Sequence, residues 1–160
     1  MSQEAREVPL LVRREIEAGI CVPLIKAFME ELGRERTLEV ARRVIESLAE
    51  ESGRMLAQMV GGNSLEHFGK AAAVFSKGGA SESQVIEASP KRLVMNITKC
   101  RYVDMYKELG MHDFGYLLSC GRDLAMIRGF NPKIRFTRTK TIMEGCECCD
   151  FRISLAGGKP

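Results

Sequence analysis

The stretch KRLVMNITK, residues 91–99, decides the fold class. Leu93, Met95 and Ile97 alternate with Val94, Asn96 and Thr98, the period of two that sends successive side chains to opposite faces of a strand. Residues 84–88 read as a second strand, separated from the first by a Ser-Pro turn. Downstream, 101–109 returns to a short helix stopped by Gly110. A further helix runs from about 114 to 128, ends at Gly129 and has Pro132 just beyond. Residues 133–143 and 149–155 then read as two strands around a Glu-Gly turn, a candidate hairpin.

Upstream of the alternation the period is helical. Ile16 and Ile20 share a face that Leu24, Phe28 and Leu32 continue. Pro23 lacks a backbone N–H, so a second helix or a kink is expected there, and Gly33 is a C-terminal stop. Residues 35–60 form the clearest helix. Its apolar stripe runs through Ala41, Val44, Ile45, Leu48, Met55, Leu56 and Met59, with Arg42, Arg43, Glu46, Glu50 and Arg54 off it. Gly61-Gly62 ends it, and Asn63 with Glu66 forms a capping-box pattern that launches a short helix through Phe75.

Helices first and strands with inserted helices later predict an α+β fold. The N-terminal helices pack on a small antiparallel sheet with inserted helices and a C-terminal hairpin. A chain of 160 residues suits one domain, with 1–79 as helical support and 80–156 as the strand-rich half carrying the site.

Composition narrows the function class. The chain is 45% hydrophobic and 28% charged, with a net charge of +3 and both signs interleaved, which gives no nucleic-acid footprint. With no Trp, a base-stacking surface is not expected. No apolar run approaches the roughly 20 residues that span a bilayer, and the N-terminus lacks a secretory apolar region. The expectation is a cytoplasmic protein with reduced thiols. Its six cysteines then point to reactivity, metal binding or burial rather than a disulfide framework.

Five of those cysteines lie between Cys100 and Arg152. Cys120 and Asp123 stand three apart in a predicted helix and so share a face. An Asp among Leu117, Leu118, Leu124, Ala125 and Ile127 is costly if buried alone. The pair reads either as a thiol nucleophile or metal ligand with a proton-accepting carboxylate, or as a structural Cys beside an Asp paired with Arg122 or Arg138. Cys100 sits at a strand-to-helix junction, where a helix N-terminus can lower a thiol pKa, or it simply fills a gap.

The run Cys146-x-Cys148-Cys149 lacks the C-x₂-C spacing of a zinc site and has no matched second pair. A three-thiolate site from Cys100, Cys120 and Cys149 requires the tertiary fold to bring them together. Adjacent Cys148 and Cys149 point to opposite faces of a strand, so at most one faces a site. Zinc or another divalent metal is compatible with the sequence but not required by it. His112 is a general base or a solvent-facing loop residue, His67 a surface residue, and Asp113 an N-cap. Asp150, Arg152 and Arg138 form a salt-linked strand pair, or Arg138 holds a substrate carboxylate through its planar fork.

At these residues the chain resembles the L-2-amino-thiazoline-4-carboxylic acid hydrolase family. The matching stretches are TKCRYVDMYKELG, FGYLLSCGRD, GFNPKIRFTRTKTIMEG and CDFRI, about a third of the chain in order. The resemblance implies Cys100, Cys120, Asp123, Asn131, Pro132, Arg138, Thr141, Gly145, Cys149, Asp150 and Arg152 as the motif residues. The family's turn before CDFR usually carries small polar residues, so Cys146 and Cys148 are peculiar to this chain. The strand–helix–hairpin half is also similar to vinyl-reductase-type small-molecule-binding domains, a likeness of fold that leaves function open.

What the resemblance implies is a hydrolase opening a cyclic amidine such as 2-amino-thiazoline-4-carboxylate to a carbamoyl-cysteine. In that reading Cys120 is nucleophile or metal ligand and Asp123 base or proton shuttle, with Cys100 beside them. Arg138, Thr141, Asn131 and Cys149 would bind substrate. The competing class is a non-catalytic sensor of small molecules or redox state, and the helical face at 41–59 could serve a homodimer. A carboxylate beside Cys120 raises that thiol's pKa, and no His lies close to a Cys, both of which weigh against a simple thiolate nucleophile.

Overall fold

The alternation in residues 91–99 is realised as an inner strand of a four-stranded antiparallel sheet. The computed structural model describes residues 8–71 and 73–155. Its helices are α1 (Leu10–Leu32), α2 (Arg34–Met59), α3 (Leu65–Ala71), α4 (Ala73–Ser76), α5 (Arg101–Glu108), α6 (His112–Leu118) and α7 (Asp123–Phe130). The strands are β1 (Ser81–Ala88), β2 (Arg92–Cys100), β3 (Ile134–Thr137) and β4 (Cys149–Leu155), in the order β1-β2-β4-β3. Three 3₁₀ turns, Lys77–Gly79, Cys120–Arg122 and Ile142–Glu144, connect them. The expected α+β architecture is the one observed. Among the described residues no helix is long and apolar enough to cross a membrane.

The β1–β2 hairpin turns at Pro90-Lys91, where the Ser89 backbone N–H donates to the Arg92 carbonyl at 2.8 Å. Leu93, Val94 and Met95 are all buried, so the middle of β2 is covered on both faces. β1 is an exposed edge strand whose pairing with β2 contains two register shifts.

The last hairpin is shorter than its sequence suggests. β3 stops at Thr137 and does not continue to Met143. The Asp150 carboxylate accepts from the backbone N–H groups of Thr139 (2.9 Å) and Lys140 (2.8 Å) and from the Thr139 hydroxyl (2.7 Å). Donors that would have extended the ladder are taken by a side chain, and the chain leaves the sheet.

The predicted helix over 114–128 is two helices. It breaks at Ser119 (φ −122°, ψ −70°), whose hydroxyl shares a 3.1 Å hydrogen bond with Tyr106 Oη. The turn is tight enough that a Cβ on Gly121 would stand 3.2 Å from the Tyr116 carbonyl oxygen. Two caps also differ from expectation. Met111 rather than Asp113 precedes α6, leaving Asp113 in the first turn, where its charge suits the helix dipole. At α3, the Ser64 hydroxyl rather than Asn63 receives the His67 backbone N–H, at 3.3 Å.

Two cores hold these elements. In one, α2, α3 and α7 cover the sheet through Ala49, Leu56, Phe68, Ile127, Phe130 and Ile153, with Phe68 and Phe130 edge to face at 5.2 Å. Here α2 and α7 approach almost backbone to backbone. A Cβ on Gly53 would stand 2.0 Å from the Met126 carbonyl oxygen, and one on Gly129 1.9 Å from that of Glu50. In the other core, α1 packs on α5 and α6 through Ala18, Val22, Ile25, Tyr106, Phe114 and Met143.

α1 departs twice from its sequence reading. It runs unbroken through Pro23, which lies on the exposed side. The face buried is Ala18, Val22 and Ile25, whereas Ile16, Ile20, Leu24, Phe28 and Leu32 are exposed. The periodicity was visible, but both faces of this helix are apolar, and periodicity alone does not choose between them.

Candidate active site

The break at Ser119 and the early end of β3 bring two distant charges into contact. Asp123 opens α7, and Arg138 is the first residue after β3. Arg138 Nη1 donates to Asp123 Oδ2, while Nη2 donates to Tyr116 Oη (3.3 Å) and to the Cys120 carbonyl (3.2 Å). Three aromatic rings enclose the guanidinium, with centroids 5.6 Å (Tyr116), 5.7 Å (Phe151) and 5.9 Å (Phe136) away. The Arg138 side chain is 7% exposed and that of Asp123 25%.

Burial dominates the electrostatics here. It lifts the Asp123 carboxyl to about 6 against the opposing pull of Arg138, Arg122 and Arg14. The group is thus largely ionised at neutral pH and still basic enough to take a proton. Burial likewise raises the thiols of Cys120 and Cys100 and takes Cys149 to about 11. At Cys100 the hydrogen bonds from the Val103 and Tyr102 backbone, at the start of α5, work the other way and lose. All three thiols are neutral at physiological pH.

Cys100, Cys120 and Cys149 lie close enough to one another and to Asp123 for their charges to interact. The pairing of Ile97 with Cys149 places Cys149 beside the end of β2, three residues before Cys100. Cys149 Sγ accepts from the Ile142 backbone N–H at 3.3 Å. Cys100, Cys120 and Cys149 thus lie within electrostatic reach of the Asp123–Arg138 pair. Among the described residues, no group of three or more His, Cys, Asp or Glu side chains is arranged to hold a metal ion.

Other motif residues lie apart from this cluster. Asn131 is at the opposite end of α7, about 12 Å along the helix from Asp123. Its Nδ2 donates to the Asn63 carbonyl (2.8 Å) and its Oδ1 accepts from Lys133 N–H (2.9 Å), tying the α2–α3 connection to the start of β3. Thr141 is 1% exposed, and its hydroxyl donates to Glu144 Oε2 (2.8 Å) and accepts from Glu144 N–H (3.1 Å), capping a 3₁₀ turn. The expected salt link among Asp150, Arg152 and Arg138 does not form. Asp150 holds the 139–140 backbone, and Arg152 donates to the Met95 carbonyl, Asn96 Oδ1 and its neighbouring Phe151 carbonyl. All six cysteines are free, Cys146 half-buried and Cys148 buried. His67 is bonded to Ser64 Oγ at 2.6 Å and His112 is half-buried at the start of α6.

Several participants were not singled out in the sequence. Tyr116, Phe136 and Phe151 box Arg138, and only their positions beside Cys120, Arg138 and Cys149 in the matching stretches hint at this. Arg13 and Arg14 look like ordinary solvent-facing charges, yet Arg13 Nε is buried without a partner, as is Tyr102 Oη. Burial takes the Tyr102 phenol to about 12, with Arg14, Cys100, Arg13 and Asp123 near enough to act on it. Burial also lowers Arg122 to about 10, with Arg14 adding to the effect and Glu17 and Asp123 opposing it. Arg14 and Arg122 thus lie within electrostatic reach of Asp123, Arg122 also of Glu17, and Arg13 of Tyr102. Glu17 pairs with Arg14 and Asp123 with Arg138, and among the described residues Arg13 and Arg122 form no salt bridge.

A four-stranded antiparallel sheet under helices, holding a carboxylate–arginine pair with three neutral thiols within electrostatic reach, is an α+β fold carrying a candidate polar site. The chain belongs to the L-2-amino-thiazoline-4-carboxylic acid hydrolase family, whose model matches residues 13–153. Among solved structures it is similar to the phenol-responsive sensory domain of the transcription activator PoxR, crystallised with phenol. That likeness has a TM-score of 0.51 at 12% identity and covers 83% of this chain and 71% of the other, so it is one of fold. No curated protein matches the chain in sequence.

Proposed function

We propose that this protein hydrolyses a small cyclic amidine carrying a carboxylate, such as 2-amino-thiazoline-4-carboxylate, to the carbamoyl-cysteine. Family membership supports the reaction class. The observation that carries it is Asp123, a carboxyl lifted to about 6, locked by Arg138 and within electrostatic reach of neutral thiols. Its proton affinity suits general base catalysis near neutrality.

In this reading water is the nucleophile and Asp123 takes its proton as the oxygen bonds to the carbon between sulfur and nitrogen. The carbon–sulfur bond then breaks, and the protonated Asp123 returns the proton to the departing sulfur. One water is consumed: its first hydrogen reaches sulfur through Asp123, its second passes from oxygen to the ring nitrogen as the carbonyl forms, and that nitrogen stays on the carbamoyl carbon. Thiolate attack by Cys120 is the weaker route, because burial and the neighbouring Asp123 both oppose its ionisation. Cys100, Cys120 and Cys149 then form an uncharged wall. The cations Arg13 and Arg122, with Tyr102 Oη, suit the substrate carboxylate. Arg138 is engaged with Asp123 and acts as its positioning partner.

A sensor that binds a small molecule without turning it over is the second reading. The fold likeness to a phenol-responsive domain supports it, as does the un-ionised state of the three thiols. One experiment separates the two. Wild type, Asp123→Asn and Cys120→Ser are incubated with 2-amino-thiazoline-4-carboxylate under reducing conditions, with product followed by mass spectrometry. The hydrolase reading expects Asp123→Asn to lose about 10²–10⁴-fold in turnover while Cys120→Ser stays within about tenfold. No ring opening by folded wild type, with or without added divalent metal, sinks the hydrolase assignment and leaves the sensor.

A further inference from the structure

The outward face of α1 is as apolar as its buried one. Ile16, Ile20, Leu24, Phe28 and Leu32 repeat every fourth residue, and with Val44 and Leu48 on α2 each is 51–62% exposed. The α1 ridge is about 24 Å long. The seven side chains offer roughly 700 Å² of surface, more than the ~300–600 Å² patch of a typical monomer and close to the ~800 Å² each partner of a stable complex buries. A helix that is apolar on both sides is one covered on both sides.

We propose that this face binds a second copy of the same chain, forming a two-fold dimer in which the α1–α2 hairpins pack against each other. Charge selects the partner. α1 exposes Glu15, Glu30 and Glu31 against one Lys26, while its exposed Glu17 is paired with the half-buried Arg14. The first part of α2 exposes Arg34, Arg36, Arg42 and Arg43 against Glu35 and Glu39. One surface thus carries both an acidic and a basic margin. A two-fold axis that lays α1 on the α2 of its partner sets each margin on its complement, as a self-complementary contact requires.

Shape agrees. Gly19 and Ala27 sit one position before Ile20 and Phe28, leaving a furrow beside the ridge. Ridges of i, i+4 residues interdigitate across such furrows with helices crossing at about −50°. The 41–59 face, which the sequence had suggested for dimerisation, is not available as a whole. Its Ala49, Gly53 and Leu56 are buried against α7 or the sheet, and only Val44, Leu48 and Met59 remain exposed.

Sedimentation equilibrium on the 160-residue chain tests this, with far-UV circular dichroism as the control for folding. The expected result is a dimer at micromolar concentration. Ile20→Glu, at an exposed position, raises the dissociation constant by more than about 100-fold with unchanged helicity. The charge-reversed pairs Glu30→Lys/Glu31→Lys and Arg42→Glu/Arg43→Glu each weaken self-association, and a 1:1 mixture of the two restores a dimer. These pairs keep the test decisive should Ile20→Glu fail to fold. A wild type that is monomeric up to about 100 μM, a folded Ile20→Glu that stays dimeric, or a mixture that does not reassociate overturns the proposal.

Discussion

Arg138 donates to the Asp123 carboxylate and, from its other terminal nitrogen, to the Cys120 carbonyl. The residue that leaves β3 therefore fixes both the carboxylate opening α7 and the turn carrying the thiol. Burial raises the Asp123 carboxyl more than that guanidinium lowers it, so it rises despite a cation in contact.

Removing that cation leaves a buried charge alone. Arg138→Met is expected to cost about 3–5 kcal/mol at pH 8, and less at pH 5, where Asp123 is neutral. Urea unfolding at both pH values measures the difference. Equal losses at the two pH values would show that Asp123 does not titrate between them.

The pH dependence has a definite sign. The Asp123 pKa is about 6 in the folded chain and 3.8 as its reference, so between these values the folded state holds a proton that the unfolded state has lost. The contribution of this group to stability therefore falls as pH rises from about 4 to about 6. Asp123→Asn should abolish that slope, read as the difference between the pH–stability curves of the two proteins. If the proposed reaction is correct, turnover rises with pH across the same window.

Asp150 behaves in the opposite sense. Burial opposes its ionisation, but hydrogen bonds from Thr139 and Lys140 outweigh it and hold the pKa below the usual carboxylate range. Its contribution is complete above the ordinary aspartate pKa and is lost as pH falls through the lowered one. Asp150→Ala strands two backbone N–H groups and should cost about 2–3 kcal/mol. It should also loosen residues 138–141, seen as faster amide exchange at Thr139 and Lys140.

Neutral thiols react slowly, and Cys149 is buried besides while Cys100 and Cys120 are half-buried. Brief iodoacetamide treatment at pH 7.5 should leave Cys100, Cys120 and Cys149 unmodified in the native protein, while all six cysteines react in denaturant. Peptide mass spectrometry reads this directly. Rapid native alkylation of Cys120 would restore the thiolate mechanism.

The closest backbone approach gives the sharpest stability contrast. Gly53→Ala or Gly129→Ala puts a Cβ about where a carbonyl oxygen already stands, so α2 and α7 must part, at a cost of about 3 kcal/mol or more. Gly69→Ala, inside α3 with nothing within 4 Å of the added Cβ, should instead stabilise by about 0.5–1 kcal/mol. Thermal melts of the three variants suffice.

Much of the site was legible because chemistry was concentrated in a few residues. Asp123 stood out as a charge in an apolar helix and Cys120 as its neighbour on one face, and Arg138 was one of the two partners the sequence left open for Asp123. What could not be read was commitment. Asn131 and Thr141 belong to the same motifs, yet their hydrogen-bonding groups are directed to Asn63, Lys133 and Glu144. A side chain's spare valence depends on which backbone groups fold against it. That holds equally for Asp150, whose carboxylate ends a strand that periodicity alone extends to Met143.

The sequence by itself determined the α+β order of elements, because the periods of 3.6 and 2 are local consequences of backbone geometry. It also marked the helix stops at Gly33 and Gly110 and the turn at Pro90. Only the tertiary structure decided which face of α1 is buried, where the helix before Cys120 breaks, and that three separated cysteines come within electrostatic reach of Asp123. Those outcomes depend on contacts between residues far apart in the chain. Burial then set the protonation of the site, since the cost of desolvating a charge depends on everything packed around it.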